Sequence, residues 1–135
     1  MDKLSIMKVL KEQVKGTMKF DLIQNEEVLQ HVSLLLAKTN VQVTDSNSLI
    51  VEVAPKEYKV YVIGIKRFYI VSAGFNGKAS QMEILNNINK VKIKSKVDLD
   101  DTVYCEEIEL NDIKVTVSED TLRFSEFIDT ALKTF

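Results

Sequence analysis

The sequence predicts an α+β fold, an antiparallel sheet flanked by helices in the order α-α-β-β-β-β-α-β-β-α. Three observations lead there. Apolar residues recur at helical spacing near both ends, they alternate at strand spacing from 41 to 53 before a β-branched and aromatic stretch to 74, and the strands cluster between helices instead of alternating with them. The 135 residues suffice for one domain with a buried core, and a composition 45% apolar and 28% charged supplies enough apolar surface to offset the entropy of ordering.

Ile6, Val9, Leu10 and Val14 predict a short amphipathic helix over 3–15, ended by Gly16. Too short to stand alone, it has to dock on something. Residues 1–20 are thus read as an N-terminal helical extension and 21–135 as a single α+β domain. A second helix over 25–38 has its stripe at Val28, Val32, Leu35 and Leu36, with Glu26 and Glu27 near its positive end.

The period then changes to two. Val41 and Val43 alternate, Asp45-Ser46-Asn47 turns the chain, and Leu49, Val51 and Val53 alternate again. Pro55 marks the next turn. EYKVYVIGIKRFYIVSAGF is β-branched and aromatic on both faces, predicting covered central strands at 57–65 and 67–74, or one bent strand bulged at Gly64. After the loop GFNGKAS, Met82, Leu85 and Ile88 predict a helix over 79–89. Strands at 91–98 and 102–110 follow, then an extended piece at 113–116. A last helix starts from Ser118, a good N-cap, with Phe124, Phe127, Ile128, Ala131, Leu132 and Phe135 on one face.

LNNINKVKIKSKVDLDD raises the question of an anion site. If Leu99 faces Thr102 across Asp100-Asp101, Lys92 meets Glu109, Lys94 meets Glu107 and Lys96 meets Cys105, while Ile93 faces Ile108 and Val97 faces Tyr104. The cations then have partners within the hairpin, whereas a phosphate groove needs unanswered cations and exposed aromatics. A net charge of −2 also speaks against a polyphosphate partner. The asparagines read as a helix ending, with Asn86 and Asn89 on one face.

Catalytic and metal patterns are sparse. His31 is the sole histidine and sits one turn before Leu35, which suggests a helix-surface or packing role. Cys105 reads as a small apolar strand residue and cannot form an internal disulfide, so a reducing, cytoplasmic compartment is expected. GFNGKAS fails as a phosphate loop because Gly74 and Gly77 are too close and Ala79 separates Lys78 from Ser80. Asp98, Asp100 and Asp101 lack the glycine and distant glutamate of a calcium loop. Glu106, Glu107 and Glu109 would need a cleft to act as acid/base groups. No cofactor is called for. No run approaches the roughly 18 apolar residues of a membrane span, and MDKLSIMKVLKEQVKG lacks the apolar block of a signal peptide.

From Glu83 onward the chain resembles the YbjN family of small bacterial proteins. The likeness lies in Leu85, Asn86 and Asn89, in the acidic turn from Asp98 to Asp101, and in the closing Ala131, Leu132 and Phe135. The N-terminal helix is extra to that family, and Lys38-Thr39-Asn40 replaces its usual Leu-Gly pair. The resemblance implies a fold like the type III secretion chaperones, with no catalytic residues. It implies a homodimer that binds another protein, as a chaperone or a regulatory adaptor. In that role the aromatic residues of the 57–74 strands, Tyr58, Tyr61, Phe68 and Tyr69, are the candidate partner contacts, with core packing the alternative for each. By analogy with the secretion chaperones, the candidate dimer element is the 79–89 helix through Met82, Leu85, Asn86 and Asn89. Two other readings stand beside it: a regulator sensing a small molecule in a closed apolar pocket, and an immunity-type inhibitor of one folded partner. An enzyme would need His31 or Cys105 in a cleft beside a carboxylate.

Overall fold

A computed structural model describes residues 1–17, 22, 24–116 and 121–135. These residues form a mixed α+β fold with three helices and two antiparallel sheets: α1 (Lys3–Thr17), α2 (Glu26–Ala37), β1 (Ser48–Ala54), β2 (Glu57–Ile63), β3 (Phe68–Ser72), β4 (Gln81–Leu85), β5 (Val91–Val97), β6 (Val103–Leu110), β7 (Ile113–Thr116) and α3 (Thr121–Thr134). Strands β1-β2-β3-β4 make one sheet and β5-β6-β7 a second. The expected single sheet is thus divided. Among the described residues no helix is long and apolar enough to cross a membrane.

The four-stranded sheet is covered on both faces because its central strands are apolar on both. Ile50, Tyr58, Val60, Val62, Tyr69 and Val71 point to one side, where α1 and α2 lie with Ile6, Leu10, Val14, Val32 and Leu36. Leu49, Val51, Tyr61, Ile63, Phe68 and Ile70 point to the other, against Phe124, Phe127, Ile128 and Ala131 of α3 and Ile108, Leu110 and Val115 of the second sheet. Pairing each strand with its neighbour also satisfies backbone groups that this burial removes from water.

Helix α1 is built into this core. Asp2 accepts a bond from the Ser5 N–H at 2.8 Å and caps the first turn, while Lys11 pairs with Glu26 of α2. Gly16 does not end the helix, which runs on to Thr17. Gln13 is buried and donates through Nε2 to Ser48 Oγ at 2.6 Å, tying α1 to the first strand. In α3 the stripe closes on the core as expected except at Leu132, which lies half exposed. The expected start at Ser118 falls outside the described residues.

Two expectations on secondary structure are corrected. Residues 41–43 form no strand: Asn47 holds the loop, accepting from the Thr44 N–H at 2.7 Å and donating to the carbonyls of Gln42 at 2.6 Å and Ile63 at 2.9 Å. Val41 and Val43 are buried without a ladder. The segment 79–89 is not a helix; Gln81–Leu85 is β4, antiparallel to β3 with Phe68 opposite Leu85 and Ile70 opposite Glu83. Met82 and Ile84 alternate onto the helix-covered core, a second period inside the same residues. The buried strand β3 needs a hydrogen-bonded neighbour on each side, and that requirement outweighs the local helical spacing. The piece at 113–116 becomes β7, the third strand of the second sheet.

Burial raises the Tyr61 phenol above its ordinary value of 10.0. The sign follows from linkage. Above pH 10 the unfolded chain loses this proton before the folded one, so stability present below that pH falls as pH rises further. Alkaline unfolding monitored by circular dichroism is expected to move to higher pH in Tyr61→Phe. An unchanged alkaline midpoint would remove Tyr61 as the cause.

Candidate functional site

The β5–β6 hairpin is the feature the core does not absorb. Its root is held: Ile108 and Leu110 are buried, with Val91 and Cys105 packed partly against the same core. Beyond the root the pattern continues into water. Five of the eleven exposed large apolar side chains among the described residues, Ile93, Val97, Leu99, Val103 and Tyr104, belong to this hairpin, so the exposure is concentrated there and not scattered. Val97 is 57% exposed, Val103 66%, and Leu99 at the tip stands free in solvent.

Register explains the faces. Lys92 lies opposite Glu109, Ile93 opposite Ile108 and Lys94 opposite Glu107, as the sequence predicts. A bulge then inserts Glu106, and the pairs become Ser95 with Cys105, Lys96 with Tyr104 and Val97 with Val103. The expected pairs Lys96–Cys105 and Val97–Tyr104 are therefore corrected by one residue. The Lys94 ammonium lies 3.8 Å from the Glu106 carboxylate, not from Glu107, and both are partly exposed. Such a pair contributes about 0–1 kcal/mol. Lys96 has an aromatic opposite it and no acid. The turn uses its own acids: Asp98 Oδ1 accepts from the N–H groups of Asp100 at 3.0 Å and Thr102 at 3.3 Å, and Asp101 takes φ 64°.

Among the described residues strand β5 is an edge, paired with β6 on one side and with no strand on the other. So is β4 in the first sheet. The asparagine-rich loop between them is clamped by a residue the sequence reading passed over. Asn111 accepts through Oδ1 from the N–H groups of Asn89 at 2.9 Å and Lys90 at 3.2 Å, and donates through Nδ2 to the Asn87 carbonyl at 2.9 Å. Its φ of 54° places it in the left-handed region that asparagine tolerates in turns. Asn111→Ala is expected to lower stability by about 1–2 kcal/mol, with new exchange at the amides of 86–90. Urea unfolding and amide hydrogen exchange measure both.

Of the two readings of the candidate partner contacts, burial favours core packing. Tyr58, Tyr61, Phe68 and Tyr69 are 0–4% exposed and belong to the core, with Tyr58 and Tyr69 only bordering surface hollows. Of the candidate dimer residues, Met82 and Leu85 are half-buried on opposite faces of β4, and Asn86 and Asn89 are exposed in the following loop. They share no helix face.

Two adjoining hollows lie at the other end of the first sheet. One, of about 520 Å³, is bordered by Lys56, Lys59, Lys78, Tyr58 and Phe75. The other, of about 710 Å³, shares Asn25, Asn76 and Lys78 and takes in His31, Glu27 and Ser80. His31 is exposed there one helical turn from Glu27, and Ser80 Oγ accepts from the Gly74 N–H at 2.9 Å. Both hollows are polar-rimmed surface features, unlike the closed apolar pocket a small-molecule sensor would show. Among the described residues no group of three or more His, Cys, Asp and Glu is placed to hold a metal ion.

Fold and surface together define a mixed α+β protein with two antiparallel sheets and a hairpin that extends from the core with exposed apolar residues beside a row of lysines. Comparison with family models, with curated proteins and with solved structures found no match.

Proposed function

We propose that the chain is a non-enzymatic, cytoplasmic protein-binding module that receives an extended segment of another polypeptide on a free sheet edge, as a chaperone or regulatory adaptor. The observation that supports this best is the β5–β6 hairpin, which holds Val97, Leu99 and Val103 in water beside the outer edge of β5. A free edge supplies main-chain hydrogen bonds, and the adjoining apolar residues supply selectivity and buried area. The resemblance to the YbjN family points the same way. The order of elements departs from the one that resemblance implies in two places, with the strand β4 where a helix is expected and β7 as an added strand. A homodimer in this reading forms through the β4 edge, whose Gln81–Leu85 carries one charge, Glu83. Neither nucleic acid nor membrane is a partner.

A photo-cross-linker at Val103, in cells expressing the chain, is expected to trap one polypeptide, and the same group at the remote, exposed Leu4 is expected to trap none. Equal yields from the two sites, or no adduct at Val103, would overturn the reading. His31→Ala is expected to leave the adduct unchanged. Mass measurement by light scattering checks the dimer, and a monomer at all concentrations rejects it.

A further inference from the structure

The residues of β5 specify the chemistry of the segment it receives. Lys92, Lys94 and Lys96 stand on one face, and Ile93, Ser95 and Val97 on the other. We propose that β5 is the receptor strand for an extended segment in which acidic and apolar residues alternate. Its acids lie beside Lys92, Lys94 and Lys96, and its apolar residues extend the surface of Ile93, Val97 and Val103. This rests on the protein-binding reading above and adds the character of the partner.

Parity supplies the first argument. A strand added to an edge keeps the period of two, so a segment alternating in character meets one kind of surface on each face. Charge supplies the second. On the β6 side the lysines are answered incompletely: Lys94 reaches Glu106 at 3.8 Å while its side chain stays 65% exposed, and Lys96 faces Tyr104. Carboxylates directly opposite on the open side complete the row, as opposite charges across a ladder attract. Exposure supplies the third. Lysines on an edge also serve to prevent strand-to-strand aggregation. A row with that task alone gains nothing from Val97 and Val103 held in water on its reverse face. An incoming strand covers them.

The same chemistry excludes other occupants. A second copy pairing β5 with β5 sets lysine rows side by side, and the β7 edge brings Lys114. A polyphosphate leaves the backbone edge and the apolar face unused, and it meets Asp98, Asp100 and Asp101 at the turn.

The test uses the full chain and two labelled ten-residue peptides, one alternating glutamate with valine and one alternating lysine with valine. The acidic peptide is expected to bind, to shift the amide resonances of 91–97, and to weaken as salt rises. In the triple variant K92E/K94E/K96E its affinity is expected to fall tenfold or more, with the lysine peptide now preferred. Because those glutamates would face Glu107 and Glu109, K92Q/K94Q/K96Q serves as a second variant, with a similar loss and an unchanged melting temperature. Equal binding of both peptides, or no binding of either, overturns the assignment. A Val103 adduct that survives K92Q/K94Q/K96Q undiminished would do so while leaving the protein-binding reading intact. Loss of that adduct in K92Q/K94Q/K96Q, with Leu4 still silent, supports both.

Discussion

Phe68→Ala is expected to cost about 3–5 kcal/mol, measured by urea unfolding. No part of the Phe68 side chain reaches solvent, and it sits where the two layers on the α3 side meet. Its ring stacks on Tyr61 with centroids 5.8 Å apart and approaches Phe127 of α3 at 6.5 Å. It also begins β3, opposite Ile63 on one side and Leu85 on the other. Removing the ring therefore leaves a void bounded by the sheet and the helix, neither of which collapses inward without breaking ladder bonds. Set against a typical domain stability of about 5–15 kcal/mol, that loss removes a large share of the margin, and nearly all of it at the low end of the range. A cost below about 1 kcal/mol would mean that α3 does not pack on this sheet as described. Phe75→Ala is the contrast: that ring is only half-buried beside Tyr58, and its loss is expected to cost clearly less.

How much of this was legible in the sequence depends on where each residue gets its instructions. Helix α2, strands β1 to β3 and the root of the β5–β6 hairpin follow from periods that one element alone displays. Lys92 with Glu109 and Lys94 with Glu107 were therefore readable before any coordinates. Segment 79–89 was not, because it holds two periods at once. Met82, Leu85 and Ile88 fit a helix, and Met82 with Ile84 fits a strand. The choice between them lies outside the segment, in the unsatisfied edge of β3. Gln13 was unreadable for a related reason: a polar residue on an amphipathic helix reads as solvent-facing, and its partner Ser48 is 35 residues away.

The candidate site shows the same division. Tyr58, Tyr61, Phe68 and Tyr69 drew attention because aromatic residues are common at interfaces, yet strands apolar on both faces already implied that such rings are covered. The lysine row reads in the sequence as answered by glutamates across the hairpin. The Glu106 bulge undoes part of that answer, and no local pattern announces a bulge between Lys94 and Ser95. Alternation showed which faces the hairpin residues share. It did not show that the core covers this face only near Ile108 and Leu110 and leaves Val97 and Val103 exposed.

Gly74→Ala is expected to destabilise the protein by about 1–3 kcal/mol and to rearrange the loop that closes both surface hollows. The reason is contact, not backbone angle. A Cβ at this position would lie 2.4 Å from the Lys78 carbonyl oxygen and 2.5 Å from the Ala79 carbonyl carbon. Both are main-chain atoms, so no side-chain rotation relieves the overlap, and the turn from Phe75 to Lys78 has to open. That turn is closed by the Lys78 N–H donating to the Phe75 carbonyl at 3.0 Å, and Gly74 donates to Ser80 Oγ next to it. Opening it removes support from the start of β4 one residue beyond Ser80, and so from the edge of the first sheet. Gly77→Ala separates the two effects, because Gly77 has open space around its Cβ position and a φ of 82°, so its penalty is conformational and smaller, about 1 kcal/mol. The expected result is a lower urea midpoint for Gly74→Ala than for Gly77→Ala, with changed amide resonances at 81–85 in the first variant alone. Equal midpoints would show that the loop yields freely and that β4 is held independently of it.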